Sequence, residues 1–458
     1  MSLSQLNPDN SKPPGAKTFH KVDQDVLRTL QPGALYFSLL GVCLILIAFG
    51  AWAWSQQVRH GLGVTGLKHP VMWGAYITTF VFWVGIAHSG TLISAILFLF
   101  RARWRAAISR ASEAMTVFAV MTAGLFPIIH LGRPWLFYWL IPYPNERTLW
   151  VNFRSPLVWD VFAVGTYFTV SAVFFYIGLI PDLAVLRDNA TGWKRRIFAI
   201  TSLGWSGTGR EWKHFSSAYL FLAALATPLV VSVHSIVSWD FAVAIIPGWH
   251  STIFAPYFVA GAIFSGLAMV LSILIPARSI LKLEEYITMW HLENISKLII
   301  VSSLIVSYSY LTEFFFAWYS QNPFEQTVFL SRAVGDFAPL FWLMVMCNCL
   351  TPLLLFFKSV RCNTTILFIV SILINIGMWT ERFVIIAGSL AREYSRASWD
   401  TYNPSWVEWS ILLASFAWFA FWFLLFIRHL PAIPLAEVKE SIHRSFHDHL
   451  SNRQEKNL

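Results

Sequence analysis

The sequence predicts an all-α polytopic membrane protein with about ten transmembrane helices. Of its 458 residues, 56% are hydrophobic and only 12% are charged, whereas a soluble domain carries about 25% charged residues. The mean hydropathy is +0.57, and 17% of the residues are aromatic. Ten apolar runs are also long enough to cross the hydrocarbon core, which takes roughly 20 helical residues. Too little polar surface therefore remains for a fold that is solvated by water.

Each of the ten apolar runs predicts one span, and only short connections separate them. The predicted spans are residues 35–54, 71–100, 113–132, 157–180, 215–238, 253–275, 296–319, 337–357, 364–390 and 409–428. The second and ninth are long enough to tilt or to extend past the lipid. We expect spans 2–5 and spans 6–9 to form two four-helix bundles, which spans 1 and 10 flank. Residues 35–428 would then form one transmembrane domain between polar tails at 1–34 and 429–458.

The net charge of +9 predicts an orientation rather than nucleic-acid binding. Most Lys and Arg residues fall in the tails and in the connections on the N-terminal side. They include Arg101, Arg103, Arg105 and Arg110 in one connection, and Lys194, Arg195, Arg196, Arg210 and Lys213 in another. The positive-inside rule then places both termini in the cytoplasm. The basic excess also favours attraction to anionic lipid.

The four cysteines predict neither a disulfide nor a metal site. Cys43, Cys347, Cys349 and Cys362 lie in or beside apolar spans. Cys347 and Cys349 are two residues apart on a helix and point to different faces, which is poor geometry for a shared metal. Buried structural thiols are the expected role.

Ionisable residues inside the spans are the candidate functional groups, because each costs roughly 2.5–3.5 kcal/mol at mid-membrane. They are His88, Glu113, His130, Asp160, His234, Glu313, Glu381 and Arg382. His130 at the outer end of span 3 and Asp160 one turn into span 4 are predicted at the same depth. His234 and Asp240 lie at a comparable level at the outer end of span 5, and Glu381 lies somewhat deeper.

A histidine and a carboxylate at the lipid–water boundary suit quinol oxidation. The quinone tail lies in lipid, while each hydroxyl of the head group needs a base that accepts its proton. A histidine can accept a proton at working pH, and a nearby carboxylate can orient it or pass the proton on. The alternative is an interfacial ion pair that only orients the helices.

Two further interpretations of the buried polar residues stay open. A haem b would need paired histidines at matching depths; His130 and His234 could be level, while His88 is deeper. Staggered groups could instead relay protons across the membrane. That possible proton path comprises His88, Glu113, His234, Glu313 and Glu381. The simpler interpretation is local pairing, of Glu381 with Arg382 or Arg392 and of Glu113 with Arg110.

Four stretches of sequence, in order between about residues 64 and 400, carry a family resemblance. They are HSGTLIS at 88–94, HLGRPW at 130–135 with NFRSPLVWD at 152–160, VHSIVSWD at 233–240 with PGWH at 247–250, and WTERF at 379–383. On these motifs the chain resembles the NrfD / polysulfide-reductase membrane-subunit family. It is most similar to the larger quinone-binding integral subunit of bacterial alternative complex III.

The resemblance implies a quinol site near the periplasmic face of a bacterial inner membrane, with menaquinone or ubiquinone as the quinone. It implies that His130 and Asp160 act at that site, and that Arg133, Asp240 and Arg382 help to bind the quinone. It implies no haem or iron–sulfur cluster held by this chain itself. The implied partners are a periplasmic iron–sulfur subunit, a multihaem cytochrome c subunit, a paralogous NrfD-like membrane subunit and a haem–copper oxidase.

Three functional hypotheses follow from the sequence. The chain is an electron-transfer subunit that oxidises quinol and contributes to proton translocation, an ion or solute transporter, or a structural membrane anchor of a redox complex. The level pair His130 and Asp160 places the chemistry at the outer surface rather than at the midplane. An aromatic outer connection supports the same placement; it contains Trp135, Trp139, Tyr143 and Trp150. Both features favour the electron-transfer subunit.

Overall fold

The fold is a set of ten long apolar helices, as the composition predicts. The computed structural model describes residues 16–31, 33–141, 153–251 and 253–440. Within these ranges there is no β-strand, apart from an isolated bridge between Lys68 and Val71. The ten helices are α1 (Ala34–His60), α2 (Ala75–Leu99), α3 (Ser109–His130), α4 (Pro156–Asn189), α5 (Gly209–Ala242), α6 (Phe254–Ile280), α7 (Met289–Tyr319), α8 (Ala338–Phe356), α9 (Thr364–Leu390) and α10 (Trp406–His429). The predicted class, an all-α multi-pass membrane protein, is confirmed.

Helices α4 and α5 are longer than the spans predicted for them. Residues 181–214 were expected to form one connection, but α4 continues through Pro181 to Asn189, and α5 begins at Gly209. Between them lies a short helix, Gly192–Thr201. A span predicted from hydropathy ends at the first polar residues. The helix itself continues past them, because Asp182 is buried against its neighbours.

Side-chain caps fix the starts of α5 and α10. Each begins with a capping box, in which the first side chain and the Glu three residues later accept each other's backbone N–H. Thr208 and Glu211 form the box of α5, and Ser405 and Glu408 form that of α10. Glu408 is fully buried and also accepts a hydrogen bond from Gly66 N at 2.6 Å. The start of α10 is thereby tied to the segment before α2.

The helices form two sets of four, and each set closes on itself through contacts between neighbouring helices. In the first set α2 contacts α3, α3 contacts α4, α4 contacts α5, and α5 returns to α2. In the second set the same order runs from α6 through α7 and α8 to α9 and back to α6. Helices α2 and α6 contact each other as extensively as neighbours within a set, and α1 packs on α10. The grouping into two separate bundles and the cytoplasmic placement of the termini stay predictions.

The described parts of both tails fold onto one end of the helices. Helix Ala16–Thr29 precedes α1, and Lys439 after α10 forms an ion pair with Asp23 of that helix at 2.7 Å. Val22 and Leu435 are almost completely buried. These segments therefore pack as part of the structure, although their sequence is polar enough to predict tails.

Helices α2 and α6 approach closely because small residues face each other. A Cβ atom at Gly266 would lie 2.2 Å from Ser89 Oγ and 2.8 Å from the carbonyl oxygen of Ile86. Small residues that let backbones approach are the usual basis of helix packing in lipid. This crossing holds the two helix sets together.

We expect Gly266→Ala to destabilise the protein by about 1–3 kcal/mol, the usual cost of overpacking. The methyl group has no space, because one of its neighbours is the α2 backbone. The apparent Tm of the purified protein in detergent should therefore fall. Gly124→Ala is the matched control, since no atom lies within 4 Å of its Cβ position in α3. An equal Tm for the two variants would contradict the close α2–α6 contact.

Candidate functional site

Three of the predicted site residues lie at one end of the first helix set. His130 is the last residue of α3, Asp160 lies one turn into α4, and Asp240 lies two residues before the end of α5. Consecutive spans run in opposite directions, so the end of α3, the start of α4 and the end of α5 meet at the same level. We call this the His130 end.

The structure pairs Asp160 with Asp240. Their carboxyl groups lie within interaction distance of each other, and the neighbouring rings of Trp159 and Trp239 meet edge to face at 6.1 Å between centroids. Two ionised carboxylates repel each other and have no proton to donate, so a hydrogen bond between them requires one shared proton. The Oδ1 atoms of both residues are buried without a hydrogen-bond partner among the described residues.

His130 occupies a separate position at the same end. Its ring lies edge-on to Tyr76 of α2, with centroids 6.5 Å apart. Tyr76 donates to Gln57 Oε1 at 2.6 Å, and Gln57 Nε2 donates to the carbonyl oxygen of Ile129 at 2.7 Å. His130 Nδ1 is buried without a hydrogen-bond partner in the described ranges. Hydrogen bonds therefore hold the neighbours of His130 in place, and its Nδ1 atom is available to accept a proton.

His130 and Asp160 lie at the same end, but they do not contact each other as the sequence led us to expect. No described hydrogen bond or ion pair joins them, because the Asp160 carboxyl group interacts with that of Asp240 on the next helix. Arg133 follows α3 and is exposed. The level of these residues was predictable from their position along each helix. Which of them face each other depends on helix rotation, which depth alone does not determine.

The aromatic outer connection lies only partly within the described residues. Trp135 and Trp139 are 57% and 56% exposed, on a short 3₁₀ segment after α3. Tyr143 and Trp150 of this connection, and Asn152 of the second motif stretch, lie outside the described residues. The exposed tryptophans lie just beyond the His130 end.

His88 and His234 form a buried pair deeper in the structure. Their ring centroids are 4.5 Å apart, and the rings meet edge to face. His88 Nδ1 donates to the carbonyl oxygen of Val84 at 2.6 Å, an assignment that leaves His88 Nε2 as an acceptor. That atom and both ring nitrogens of His234 have no hydrogen-bond partner among the described residues. Two histidines that bind one haem iron lie on opposite faces of the porphyrin. The rings of His88 and His234 contact each other directly, so a porphyrin does not fit between them.

Glu381 and Arg382 belong to a cluster in the second helix set. Arg382 Nη1 lies 2.8 Å from Glu381 Oε1. The local ion pair of Glu381 and Arg382 that the simpler interpretation predicts is therefore present. Tyr310 donates to the same carboxylate, and Asn348 Nδ2 donates to the Tyr310 hydroxyl at 2.9 Å. Asn348 lies in a π-helical turn of α8, Met346–Leu350, and such turns often mark functional positions.

The second alternative partner of Glu381 is engaged elsewhere, since Arg392 forms an ion pair with Asp336. The Arg382 guanidinium also lies 4.2 Å above the ring of Phe258. No described contact joins Arg382 to Asp160 or Asp240. Its predicted role in quinone binding therefore has no direct support from the contacts at the His130 end.

Glu313 lines a small cavity in the second helix set, close to Arg332. The cavity has a volume of about 10 Å³ and is lined by residues that include Tyr257, Tyr310, Glu313 and Arg332. Glu313 Oε1 and Arg332 Nε have no hydrogen-bond partner among the described residues, while Arg332 Nη2 donates to Ser389 Oγ at 2.6 Å. Burial lowers the pKa of Arg332 below its usual value, and Glu313 opposes that change.

Glu113 lies in a separate ionic cluster at the opposite end. Arg110 contacts the Glu113 carboxylate at 2.8 Å and the Asp182 carboxylate at 3.0 Å. Tyr219 donates to Glu113 Oε1 at 2.8 Å, and Leu435 N donates to Asp182 at 3.2 Å. The predicted local pair of Glu113 and Arg110 is therefore present. Sequence reasoning missed Asp182 because it was placed outside the predicted span.

The five residues of the predicted proton path are distributed over separate groups. His88 contacts His234, Glu381 and Glu313 lie in the second helix set, and Glu113 lies at the other end. Across the part of the chain that the structure describes, no hydrogen bond joins one group to the next. The four cysteines are free thiols. The described residues contain no group of three or more His, Cys, Asp or Glu side chains in a metal-binding arrangement.

Comparison with known proteins places the chain in a family. A protein from Halobacterium salinarum, described as a "putative dimethyl sulfoxide reductase membrane subunit", is 27% identical over 422 residues, which are 87% of this chain and 92% of that protein. The "Hdr-like menaquinol oxidoreductase integral membrane subunit" of Archaeoglobus fulgidus is 22% identical over 447 residues, which are 93% of this chain and 99% of that protein.

A third relative is a subunit of the selenate reductase of Mesobacillus selenatarsenatis. It is 19% identical over 429 residues, which are 90% of this chain and 96% of that protein. The model of the family described as "Polysulphide reductase, NrfD" matches residues 63–392. This match covers more than half of the chain and confirms the resemblance seen in the four motifs. The chain therefore belongs to the polysulphide reductase NrfD family.

Proposed function

We propose that this chain is the quinol-binding membrane subunit of a respiratory oxidoreductase and that quinol is oxidised at the His130 end. One observation carries the proposal. Three buried polar atoms without hydrogen-bond partners, on His130, Asp160 and Asp240, lie at one end of three consecutive helices. Unpaired buried polar atoms are costly in lipid, and a quinol head group supplies hydroxyls that would pair with them.

The surroundings of the carboxyl pair suit a lipid-soluble substrate. Leu157 and Phe162 on α4, and Trp239 on α5, are 44%, 53% and 38% exposed. In a membrane, side chains exposed on these helices face lipid. A quinone tail could therefore stay in the bilayer while the head group reaches Asp160 and Asp240.

The names of the relatives support a redox role. One is called a menaquinol oxidoreductase subunit, and two are called subunits of reductases. We propose that this chain likewise works within a quinone-linked oxidoreductase, in an assembly of the alternative complex III type. The quinone would be menaquinone or ubiquinone.

Oxidation of quinol releases two protons and two electrons, and the residues at this end provide separate destinations for the protons. His130 Nδ1 accepts one hydroxyl proton when its own proton is on Nε2. The Asp160–Asp240 pair already holds one proton and has one remaining negative charge, so it accepts the second. The two electrons would pass, one after the other, to an iron–sulfur cluster held by the proposed partner subunit.

The exposed surface beyond the His130 end is the proposed position of that partner. Arg133 is exposed there, and so are Trp135 and Trp139. Trp and Arg are enriched in protein interfaces. We propose that this surface faces the periplasm of a bacterial inner membrane, in agreement with the positive-inside rule. Multihaem cytochrome, NrfD-like and oxidase partners would complete the electron path.

We expect His130→Ala to lower quinol oxidation by roughly 100-fold, the usual scale for losing a general base. The measurement is quinol-dependent reduction of the acceptor by the purified, intact complex. His250→Ala is the matched control, because His250 is exposed in the connection after α5 at the same end. Unchanged activity of His130→Ala in an assembled complex would favour a structural anchor or a transporter instead.

We expect Asp160→Asn and Asp240→Asn each to lower activity about tenfold, and the double variant about 100-fold or more. Either single amide can donate to the remaining carboxylate, so the hydrogen bond and one proton acceptor survive. The double variant has neither acceptor. Asp400→Asn is the control, since this partly exposed acid at the same end pairs with Lys68 at 2.6 Å. If the double variant oxidises quinol at the wild-type rate, the pair does not accept the proton.

We also propose that oxidation is coupled to proton movement through the His88–His234 pair, whose free ring nitrogens support this role. His234→Phe keeps an aromatic ring but removes both nitrogens. In proteoliposomes we expect quinol oxidation to continue while the number of protons moved per electron falls. His214→Phe, at an exposed position at the start of α5, is the control. An unchanged ratio in His234→Phe would remove this pair from any proton path.

A further inference from the structure

A surface outside the quinol site is formed by helix Gly192–Thr201 and the turn after it. Trp193, Ile197, Ile200 and Leu203 are 67%, 46%, 74% and 69% exposed. Their spacings of three and four residues place the first three on one face of the helix, and Leu203 is exposed in the turn that follows. Four large apolar side chains exposed on one short segment are unfavourable in water.

The other face of this helix packs back along α4. Phe198 contacts the buried cluster of Leu179, Leu183 and Leu186. Tyr176 of α4 donates a hydrogen bond to the carbonyl oxygen of Thr201 at 2.7 Å. The chain therefore turns after α4 and runs back towards the membrane.

Helix geometry places the end of this segment at the edge of the hydrocarbon. Tyr176 lies about 30 Å along α4 from Pro156 at 1.5 Å per residue, and the hydrocarbon core is also about 30 Å thick. Thr201 is bonded to Tyr176, so Ile200 and Leu203 lie near this boundary. Trp193 lies about 12 Å farther along the short helix, at the level of the headgroups.

The charges around this apolar face are almost all positive. Residues 192–213 contain a single acidic residue, Glu211, which caps α5. The basic residues of this segment are Lys194, Arg195, Arg196, Arg210 and Lys213. None of the five forms an ion pair in the described part of the chain. They are therefore available to an external anion.

Aromatic side chains mark the same level. The indole rings of Trp205 and Trp212 meet edge to face, with centroids 5.1 Å apart, and Phe215 lies 5.8 Å from Trp205. Trp is enriched at membrane–water interfaces, where one part of the ring is apolar and its N–H can reach water. This position agrees with the depth derived from α4.

We propose that helix Gly192–Thr201 and its following turn form a lipid-binding surface. Ile197, Ile200 and Leu203 enter the edge of the leaflet, and the basic residues bind the phosphate groups of anionic phospholipids. Each basic side chain near such a membrane strengthens the attraction by about fivefold. The surface lies at the end opposite the quinol site and does not depend on the proposed function.

The first test measures depth with a spin label in the intact complex, reconstituted into nanodiscs of phosphatidylcholine and phosphatidylglycerol. Ile200→Cys is labelled in a Cys362→Ser background, since Cys362 is the exposed native cysteine. We expect collisions with oxygen to exceed those with a water-soluble nickel reagent. Arg195→Cys should show the reverse. A water-accessible label at 200 would overturn the proposal, and so would one shielded from both reagents, which would indicate a covering protein.

The second test measures headgroup binding by counting lipids retained in native mass spectrometry of the same complex. Replacing Lys194, Arg195 and Arg196 together by Gln should lower retained phosphatidylglycerol by about fivefold or more. The matched control replaces three basic residues near the same end, Lys282, Lys297 and Lys358, by Gln. Equal retention by the two triple variants would overturn the assignment of headgroup binding to this helix.

Discussion

The structure depends on one constraint, which is that a charged group buried among apolar helices needs a partner. Arg110 meets Glu113 and Asp182 and so joins α3 to α4, while Tyr219 adds α5 to the same cluster. Removing one partner of a buried pair leaves an uncompensated charge and typically costs about 3–5 kcal/mol. Such a cluster favours this arrangement of α3, α4 and α5, because it brings the opposite charges together.

This constraint separates structural polar groups from functional ones. Arg110, Glu381 and Arg382 each leave one buried atom without a hydrogen-bond partner, but each lies against a group of opposite charge, which holds the helices together. His130, Asp160 and Asp240 also leave buried atoms without hydrogen-bond partners, and they differ because no ion pair among the described residues compensates them. Natural structures rarely keep such atoms unpaired, and this is why we propose these three residues as the substrate site.

The sequence predicted the number of helices and the common level of His130 and Asp160, and both follow from distance along the chain. His234 was expected at that level too, but its ring contacts that of His88, deeper in the structure. A run of apolar residues has a length that lipid thickness constrains, and alternating directions place His130 and Asp160 at one end. Rotation about each helix axis is not constrained in this way. Asp160 therefore faces Asp240, and Asp182 became visible only when α4 was found to continue past the apolar run.

The lengths of α4 and α5 connect these features. Each has 34 residues and is about 51 Å long, which exceeds the hydrocarbon core of about 30 Å. Because their Asp160 and Asp240 ends are at one surface, most of the excess lies at the other. That excess carries the Asp182 contact and leaves room for helix Gly192–Thr201 to return to the lipid. One pair of long helices thus links the carboxyl pair at one surface to a basic, apolar surface at the other.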